Sequence, residues 1–99
     1  MWQFDHSEPC RAVRTLLNMG KIPYEKKDVN LLVGEHKSPA YLKINPRGVV
    51  PAIKDRDFVL TESNAILKYL VESRKELPDT LFPKDPIKRS EVDEILEWY

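Results

Sequence analysis

The 99-residue sequence predicts a small α/β fold with the element order βαβ-α-ββα, followed by one extra helix. Two observations support this prediction. Short apolar runs with the composition of strands alternate with stretches whose apolar residues recur at helical spacing. Proline and glycine stand near the ends of these segments, where they begin or end helices. At 41% hydrophobic residues, the chain can build one small core.

The first half of the chain has the pattern of a β-α-β unit. Trp2 to Phe4 is a short apolar run, which we predict to be a strand. Pro9 suits the first turn of a helix and Gly20 suits its exit. Residues 23–29 have the pattern of a partly exposed edge strand. Because a helix would connect the two strands, we expect them to be parallel.

The second half predicts an antiparallel hairpin and a longer helix. Residues 31–48 are irregular, apart from one short helix. Residues 49–54 and 58–60 have the composition of strands, and the short polar link between them indicates a hairpin. Residues 63–75 form the clearest helix. This order of elements is typical of the thioredoxin-like fold.

We divide the chain into three parts. Residues 1–77 are the predicted thioredoxin-like domain. Residues 78–86 are rich in proline, which indicates a linker. Residues 87–99 continue a further amphipathic helix. Because nothing follows that helix, we expect it to be the first helix of a second domain that is truncated in this chain.

Charge and cysteine content exclude several classes of protein. The 16 basic and 16 acidic side chains balance, so no long-range field attracts nucleic acid or an anionic membrane. Cys10 is the sole cysteine, which excludes an intramolecular disulfide and a cysteine zinc site. The apolar runs are too short to span a membrane. We therefore expect a soluble, cytoplasmic protein without a metal site.

Ser7 and Cys10 lie where the first strand leads into the first helix. Thioredoxin-like redox proteins carry a Cys-x-x-Cys motif there, and Ser7 takes the place of its first cysteine. This argues against dithiol chemistry and leaves a hydroxyl at the positive helix end, where an anion such as a bound thiolate is stabilised. Plain helix capping is the alternative for Ser7. Cys10 falls on the apolar face, so it is either a core residue or the thiol of a thiol transferase.

Three other places could contact a ligand. Pro51 removes a ladder donor and can be cis, which would leave the backbone of Val50 free to pair with an extended peptide. Residues 61–64 precede the best helix, whose amides can hold a carboxylate. His36-Lys37 lies in a polar loop and could also bind a carboxylate. The alternatives are an ordinary strand-start proline, a helix cap and a solvated loop.

Taken together, these pieces resemble the N-terminal domain of theta-class glutathione S-transferases. The resemblance covers nearly the whole chain and rests on the order and spacing of the pieces rather than on any single motif. The matching positions are Ser7 to Val13, Gly34 to His36, Asn45-Pro46, Val50 to Ala52, Thr61 to Ser63, Ala65-Ile66 and Tyr69-Leu70. Arg89, Val92 to Glu94 and Trp98 resemble the opening of the family's helical domain.

The resemblance implies an enzyme of detoxification that takes glutathione as its co-substrate and needs no metal. Ser7 would be the catalytic residue, whose hydroxyl hydrogen-bonds the glutathione sulfur and favours the thiolate. Val50, before a cis Pro51, would pair its backbone with the cysteinyl unit. The thiolate would then attack an electrophilic carbon of a small second substrate.

The resemblance also implies contacts to the two ends of glutathione. Glu62 and Ser63 would hold the γ-glutamyl end. His36, with Lys37, would face the glycine carboxylate. The resemblance allows a homodimer where the full helical domain is present.

Two departures from the family pattern keep a second hypothesis open. The first strand is several residues shorter than in the family, which weakens a central strand and could shift Ser7. The helical domain, which supplies most of the electrophile pocket in the family, is nearly absent. The chain could therefore be a non-catalytic binding or assembly module with the same fold.

Overall fold

A computed structural model describes residues 1–98, apart from the side chains of Asp79 and Trp98. It confirms the predicted thioredoxin-like arrangement. The strands are β1 (Trp2–Gln3), β2 (Lys27–Asp28), β3 (Ala52–Asp55) and β4 (Phe58–Thr61), and the helices are α1 (Glu8–Met19), α2 (Pro39–Leu42), α3 (Ser63–Ser73) and α4 (Pro86–Trp98). Short 3₁₀ turns lie at Leu31–Val33, Glu35–Lys37 and Asp79–Leu81. Tyr99, the last residue of the predicted final helix, lies outside the described residues.

The four strands form one mixed sheet in the order β2-β1-β3-β4. β1 and β2 are parallel, as expected for two strands joined by α1. β3 runs antiparallel to β1 and pairs with it where Trp2 lies opposite Ala52. β4 returns antiparallel to β3, with Ala52 opposite Thr61 at one end and Asp55 opposite Phe58 at the other. Only Arg56 and Asp57 separate the two strands, so the hairpin is tight.

The core lies between the sheet and helices α1 and α3. α1 buries residues at three- and four-residue spacing, and α3 buries Ile66 and, one turn later, Leu70 with Val71, so each helix turns one apolar face to the core. No described helix is long and apolar enough to cross a membrane. The buried cluster consists of Val13, Leu17, Ile22, Ile53, Ile66, Leu70, Val71, Leu77 and Phe82.

Three strands are shorter than the sequence predicts, and β1 is the least affected, since it ends at Gln3 instead of Phe4. β3 begins at Ala52 instead of Val49, because the Val49 carbonyl accepts hydrogen bonds from the side chains of Tyr41 and Asn45. β2 covers two residues instead of the seven predicted at 23–29. Its partner β1 is equally short, so ladder pairing can extend no further on that side.

The segment predicted as a linker packs against the domain. Within this segment Phe82 is more than 90% buried, and the guanidinium of Arg89 lies 4.1 Å from its ring centroid. The side-chain amide of Asn64 in α3 donates to the carbonyl of Leu96 in α4 at 3.0 Å. These contacts hold α4 against α3. The division of the chain at 77, 78–86 and 87 stays a prediction.

Candidate functional site

Three segments of the chain meet where β1 and β4 end and β3 begins. We call this row of strand ends one edge of the sheet, as distinct from its outermost strands. β1 ends at this edge, and the antiparallel β3 begins there because Trp2 lies opposite Ala52. β4 ends at the same edge, since Ala52 lies opposite Thr61. The predicted site residues are next to these strand ends. Ser7 follows β1, Val50-Pro51 precedes β3, and Glu62-Ser63 follows β4.

Ser7 is the N-cap residue of α1. Its backbone is extended, and its Oγ accepts a hydrogen bond from the backbone N–H of Cys10 at 3.4 Å. A hydrogen bond of this length is weak. The hydroxyl is half-buried at the positive end of the helix, while the thiol of Cys10 is completely buried. Ser7 is therefore open to a ligand at this edge and Cys10 is not.

The loop before β3 presents an unpaired piece of backbone. The Val50–Pro51 peptide bond is cis. The residue before it is fixed, because the Val49 carbonyl accepts from the Tyr41 hydroxyl at 2.7 Å and from the Asn45 amide at 2.9 Å. Neither the N–H nor the C=O of Val50 has a hydrogen-bond partner among the described residues. Val50 can thus pair with an extended peptide.

Tyr41 is the buried anchor of this loop. Burial raises the pKa of its hydroxyl to about 12, and the nearby Cys10 thiol contributes in the same direction. The hydroxyl therefore stays protonated at neutral pH and remains a donor to Val49.

Among the described residues, no side chain caps the start of α3. Glu62 is the N-cap residue, and its side chain makes no capping hydrogen bond. Its φ of +73° is unusual for a residue other than glycine and costs of order 1–3 kcal/mol. The sequence left plain helix capping open as the alternative to ligand binding here. No such cap is seen among the described residues, so the first amides of α3, beside the Ser63 hydroxyl, are uncapped. They are available to an anion.

The carboxylate of Glu62 points toward the loop before β3. Its Oε1 lies 3.4 Å from Nη1 of Arg47, and both side chains are more than half exposed. An exposed pair of this kind contributes little to stability. A cationic ligand group could replace Arg47 at low cost.

His36 and Lys37 lie in the Glu35–Lys37 turn, which packs against the same loop. Lys37 Nζ donates to the Arg47 carbonyl at 3.4 Å. Gly48 lies so close to this turn that an added Cβ would be 2.9 Å from both the His36 carbonyl and Lys37 Nζ. The buried Nδ1 of His36 has no hydrogen-bond partner among the described residues. The loop thus joins the turn to Glu62.

The structure reveals three residues that the sequence analysis did not assign to the site. Arg47 pairs with Glu62, and Tyr41 and Asn45 fix the backbone next to Val50. Asn45 is 99% buried, and its amide is satisfied by the Val49 carbonyl. In the sequence, the only indication of its role is an asparagine directly before a proline. Ser7 makes no hydrogen bond to the other predicted site residues within the described part of the chain.

Comparison with known proteins supports the family resemblance that the sequence indicates. The sequence model of the family described as "Glutathione S-transferase, N-terminal domain" matches residues 1–72. Human glutathione S-transferase theta-1 is 48% identical over 92 residues, which are 93% of this chain and 38% of that protein. Glutathione S-transferase 1 of Manduca sexta is 44% identical over 99 residues and 45% of its length. This chain therefore spans less than half the length of these relatives.

Solved structures agree with the sequence matches. A glutathione transferase homologue from Drosophila mojavensis, with bound glutathione, superposes with a TM-score of 0.93 at 40% identity and covers 98% of this chain and 44% of its own. Human glutathione transferase theta-2, also in complex with glutathione, gives 0.91 at 42% identity, covering 98% and 40%. The chain belongs to the glutathione S-transferase family, as a thioredoxin-like N-terminal domain with theta-class relatives.

Proposed function

We propose that this chain is the glutathione-binding half of a glutathione S-transferase, which activates the glutathione thiol for attack on a small electrophile. One observation carries the proposal. A hydroxyl at a helix start, a backbone segment without partners and an uncapped second helix start lie at one edge of the sheet. These are the groups that a thiolate, a peptide unit and a carboxylate would contact.

The cysteinyl unit of glutathione pairs with Val50. A peptide in extended conformation hydrogen-bonds to an open backbone segment as an added strand does. The two donors on the Val49 carbonyl fix the segment before binding, so little ordering is needed. This pairing sets the sulfur at the edge of the sheet where α1 begins.

The γ-glutamyl end of glutathione lies at the start of α3. The carboxylate accepts from the free amides and from the Ser63 hydroxyl, and the helix dipole adds to the attraction. The ammonium group pairs with Glu62 in place of Arg47. The φ of +73° at Glu62 turns its side chain out of the helix end, and the strain is retained because the site requires that geometry.

The glycine carboxylate faces His36 and Lys37. Lys37 is exposed, and its present hydrogen bond to the Arg47 carbonyl is long, at 3.4 Å. A carboxylate is a stronger partner for the ammonium group than this neutral carbonyl. Glutathione is thus held at both ends and in the middle, without a metal ion.

Ser7 caps α1 and activates the thiol at the same time. A hydroxyl accepts with its lone pairs and donates its single hydrogen independently. The oxygen of Ser7 accepts from Cys10 N–H, and its hydrogen is left to donate to the glutathione sulfur. This hydrogen bond stabilises the thiolate form of glutathione, and the proton of the thiol passes to solvent. The thiolate then forms a bond to the electrophilic carbon as the leaving group departs.

The activity of the whole protein is part of the proposal. In a longer protein a helical domain would supply the electrophile pocket, and two chains would form a homodimer. The balanced charge and the single buried cysteine suit a cytoplasmic enzyme of detoxification.

A comparison of Ser7→Ala with Cys10→Ser tests this function. Removing the hydroxyl should raise the pKa of the bound glutathione thiol by about 1–2 pH units, because one hydrogen bond to a charged group has an energy of that scale. The measurement is the ultraviolet absorbance of the thiolate as a function of pH. Cys10→Ser should change packing and leave this pKa unaltered.

Ser38→Ala is the matched control. Ser38 caps α2 through an equivalent hydrogen bond of 3.3 Å to the N–H of Tyr41, so its loss costs a cap without touching the sulfur. The proposal is wrong if Ser7→Ala leaves the thiol pKa unchanged. A loss of activity in Cys10→Ser alone would indicate a cysteine-based thiol transferase instead.

A further inference from the structure

Gln3 is a polar side chain in the interior of the domain, and the proposed function makes no use of it. It lies in β1 and is completely buried. Among the described residues, Asn45 is the one other polar side chain buried to this degree, and it fixes the loop before β3. Burial of an amide is costly unless its groups are hydrogen-bonded. The partners of Gln3 therefore show what its burial secures.

The side-chain amide of Gln3 is bonded on both sides. Its oxygen accepts from the guanidinium of Arg14 in α1. Its nitrogen donates to the carboxylate of Asp28 in β2 and, at 3.0 Å, to the carboxylate of Asp5. The flipped amide would set its hydrogens against the guanidinium and its oxygen against two carboxylates, so the charges fix its orientation. We call these four side chains the Gln3 network.

Arg14 connects this buried amide to the turn before α1. Its Nη1 donates to the oxygen of Gln3, and its Nη2 donates to the backbone carbonyl of Asp5 at 3.2 Å. The side chain of Arg14 is only 19% exposed. A guanidinium presents its N–H groups as a rigid fork, which holds two acceptors in a fixed relation to each other. Arg14 thus ties the second turn of α1 to the chain that precedes the helix.

Asp5 is held at both its backbone and its carboxylate. The carboxylate accepts from Gln3 and lies 3.6 Å from Nζ of Lys26. The hydrogen bond from Gln3, and then the charge of Lys26, lowers the pKa of the Asp5 carboxyl. The carboxylate is therefore ionised at neutral pH and remains an acceptor for the Gln3 network.

The turn that contains Asp5 sets the place of Ser7. The N–H of Ser7 donates to the carbonyl of Phe4 at 3.0 Å, which closes a four-residue turn around Asp5 and His6. Within the described residues, the Ser7 hydroxyl has only the weak bond of 3.4 Å to the N–H of Cys10. The backbone of the turn, more than the cap, therefore determines where the hydroxyl lies.

We propose that Arg14 is a positioning residue for Ser7, acting through the Asp5 carbonyl and the buried Gln3 amide. By fixing the turn, Arg14 holds the Ser7 hydroxyl in line with the glutathione sulfur. A hydrogen bond weakens steeply as its length and angle depart from the optimum, so a small shift of the turn lowers the stability of the thiolate. This inference rests on the proposed role of Ser7 in activating the thiol.

Arg14→Met tests the inference through the pKa of the glutathione thiol bound to the 99-residue chain. Methionine has a similar helix propensity but cannot donate to either acceptor. The thiol pKa should rise by about 0.5–1 pH units, about half the change expected for Ser7→Ala, because the hydroxyl is present but misaligned. The measurement is the same ultraviolet titration, at saturating glutathione. Circular dichroism at the titration temperature confirms that the variant is folded.

Combining Arg14→Met with Ser7→Ala separates positioning from a direct effect of charge. If Arg14 acts through Ser7, the double variant should have the thiol pKa of Ser7→Ala alone, because no hydroxyl remains to be positioned. A guanidinium that stabilised the thiolate directly would give the same rise in pKa with and without the hydroxyl.

Two further variants distinguish the fork from the charge. Arg14→Lys keeps the charge and loses the fork, so its thiol pKa should be close to that of Arg14→Met. Arg11→Met is the matched control, since it removes the same charge from α1 one turn nearer to Ser7. The exposed side chain of Arg11 takes no part in the Gln3 network. At about 0.15 M salt, where exposed charges are screened, this variant should keep the thiol pKa of the parent.

The inference is overturned if Arg14→Met lowers Tm and leaves the thiol pKa unchanged, since Arg14 would then support the fold alone. It is also overturned if Arg14→Lys keeps the parent pKa, or if the rise persists in full beside Ser7→Ala. Should Arg14→Met not fold, Arg14→Lys and its double variant with Ser7→Ala carry the same test. The proposed function fails separately, through a thiol pKa that does not respond to Ser7→Ala.

Discussion

Gly48 lies beside the candidate site at a position that has no room for a methyl group. Its φ of +64° lies in the left-handed region, and an added Cβ would be 2.9 Å from the His36 carbonyl oxygen. Real Cβ atoms do not approach other heavy atoms so closely. Gly48→Ala should therefore disturb both the loop itself and the turn that carries His36 and Lys37.

Gly34 supplies the matched comparison. Its φ is +74°, and no atom of the described residues lies within 4 Å of the position of an added Cβ. Gly34→Ala should cost only the left-handed conformation, about 1 kcal/mol. Gly48→Ala adds the displacement of a backbone carbonyl, so we expect a total of about 2–3 kcal/mol. Lys37 Nζ is the end of a flexible side chain and can move away at little cost.

Thermal unfolding of the two variants measures this difference. In a domain of this size 1 kcal/mol corresponds to about 4–8 °C in Tm, so the loss of Tm in Gly48→Ala should be about two to three times that in Gly34→Ala. Glutathione affinity should also fall by about 3–10-fold in Gly48→Ala, because the turn no longer packs in place. Equal losses of Tm in the two variants would refute the close contact between Gly48 and His36.

Two further predictions concern α3. Ser63→Ala should weaken glutathione binding by about 1–2 kcal/mol in calorimetric titration, because a charge-assisted hydrogen bond is lost; unchanged affinity in a folded variant would contradict the contact. The hydrogen bond from Tyr69, and then that from Arg74, lowers the pKa of the Asp55 carboxyl below its unfolded value of about 3.9. The ionised carboxylate therefore stabilises the fold above that unfolded pKa, and the stabilisation is lost as the pH falls through the folded pKa. Asp55→Asn should lower the free energy of unfolding at pH 7 by about 1–2 kcal/mol and flatten its acid slope, as measured by urea unfolding. Parallel curves for the two proteins below about pH 4 would contradict this prediction.

Local signals in the sequence predicted the helices well. The cap Ser7, the early Pro9 and the exit at Gly20 delimit α1, and its apolar repeat identifies the buried face. α3 begins at Ser63 as predicted and ends two residues early, at Ser73. There the extended backbone of Arg74 follows, and its side chain bonds to Asp55 in the sheet. The helix thus ends next to a residue that is bonded to the sheet, and no local sequence pattern contains that contact.

The contacts between segments could not be predicted in this way. Arg47 and Glu62 are 15 positions apart and meet because β3 and β4 bring their loops to one edge. The positive φ of Glu62 has no sequence signal, since glycine or asparagine is the usual residue there. Tertiary structure determines both features.

A glutathione titration followed by amide NMR tests the central claim most directly. The chain should be titrated to millimolar glutathione in buffer containing a metal chelator, with the α-linked peptide Glu-Cys-Gly as the matched control. We predict shifts at Ser7, Val50, Ser63 and His36, and binding at least about 10-fold weaker for the α-linked peptide, which cannot reach both ends of the site. The account is contradicted if none of these four amides moves, or if the two peptides bind equally.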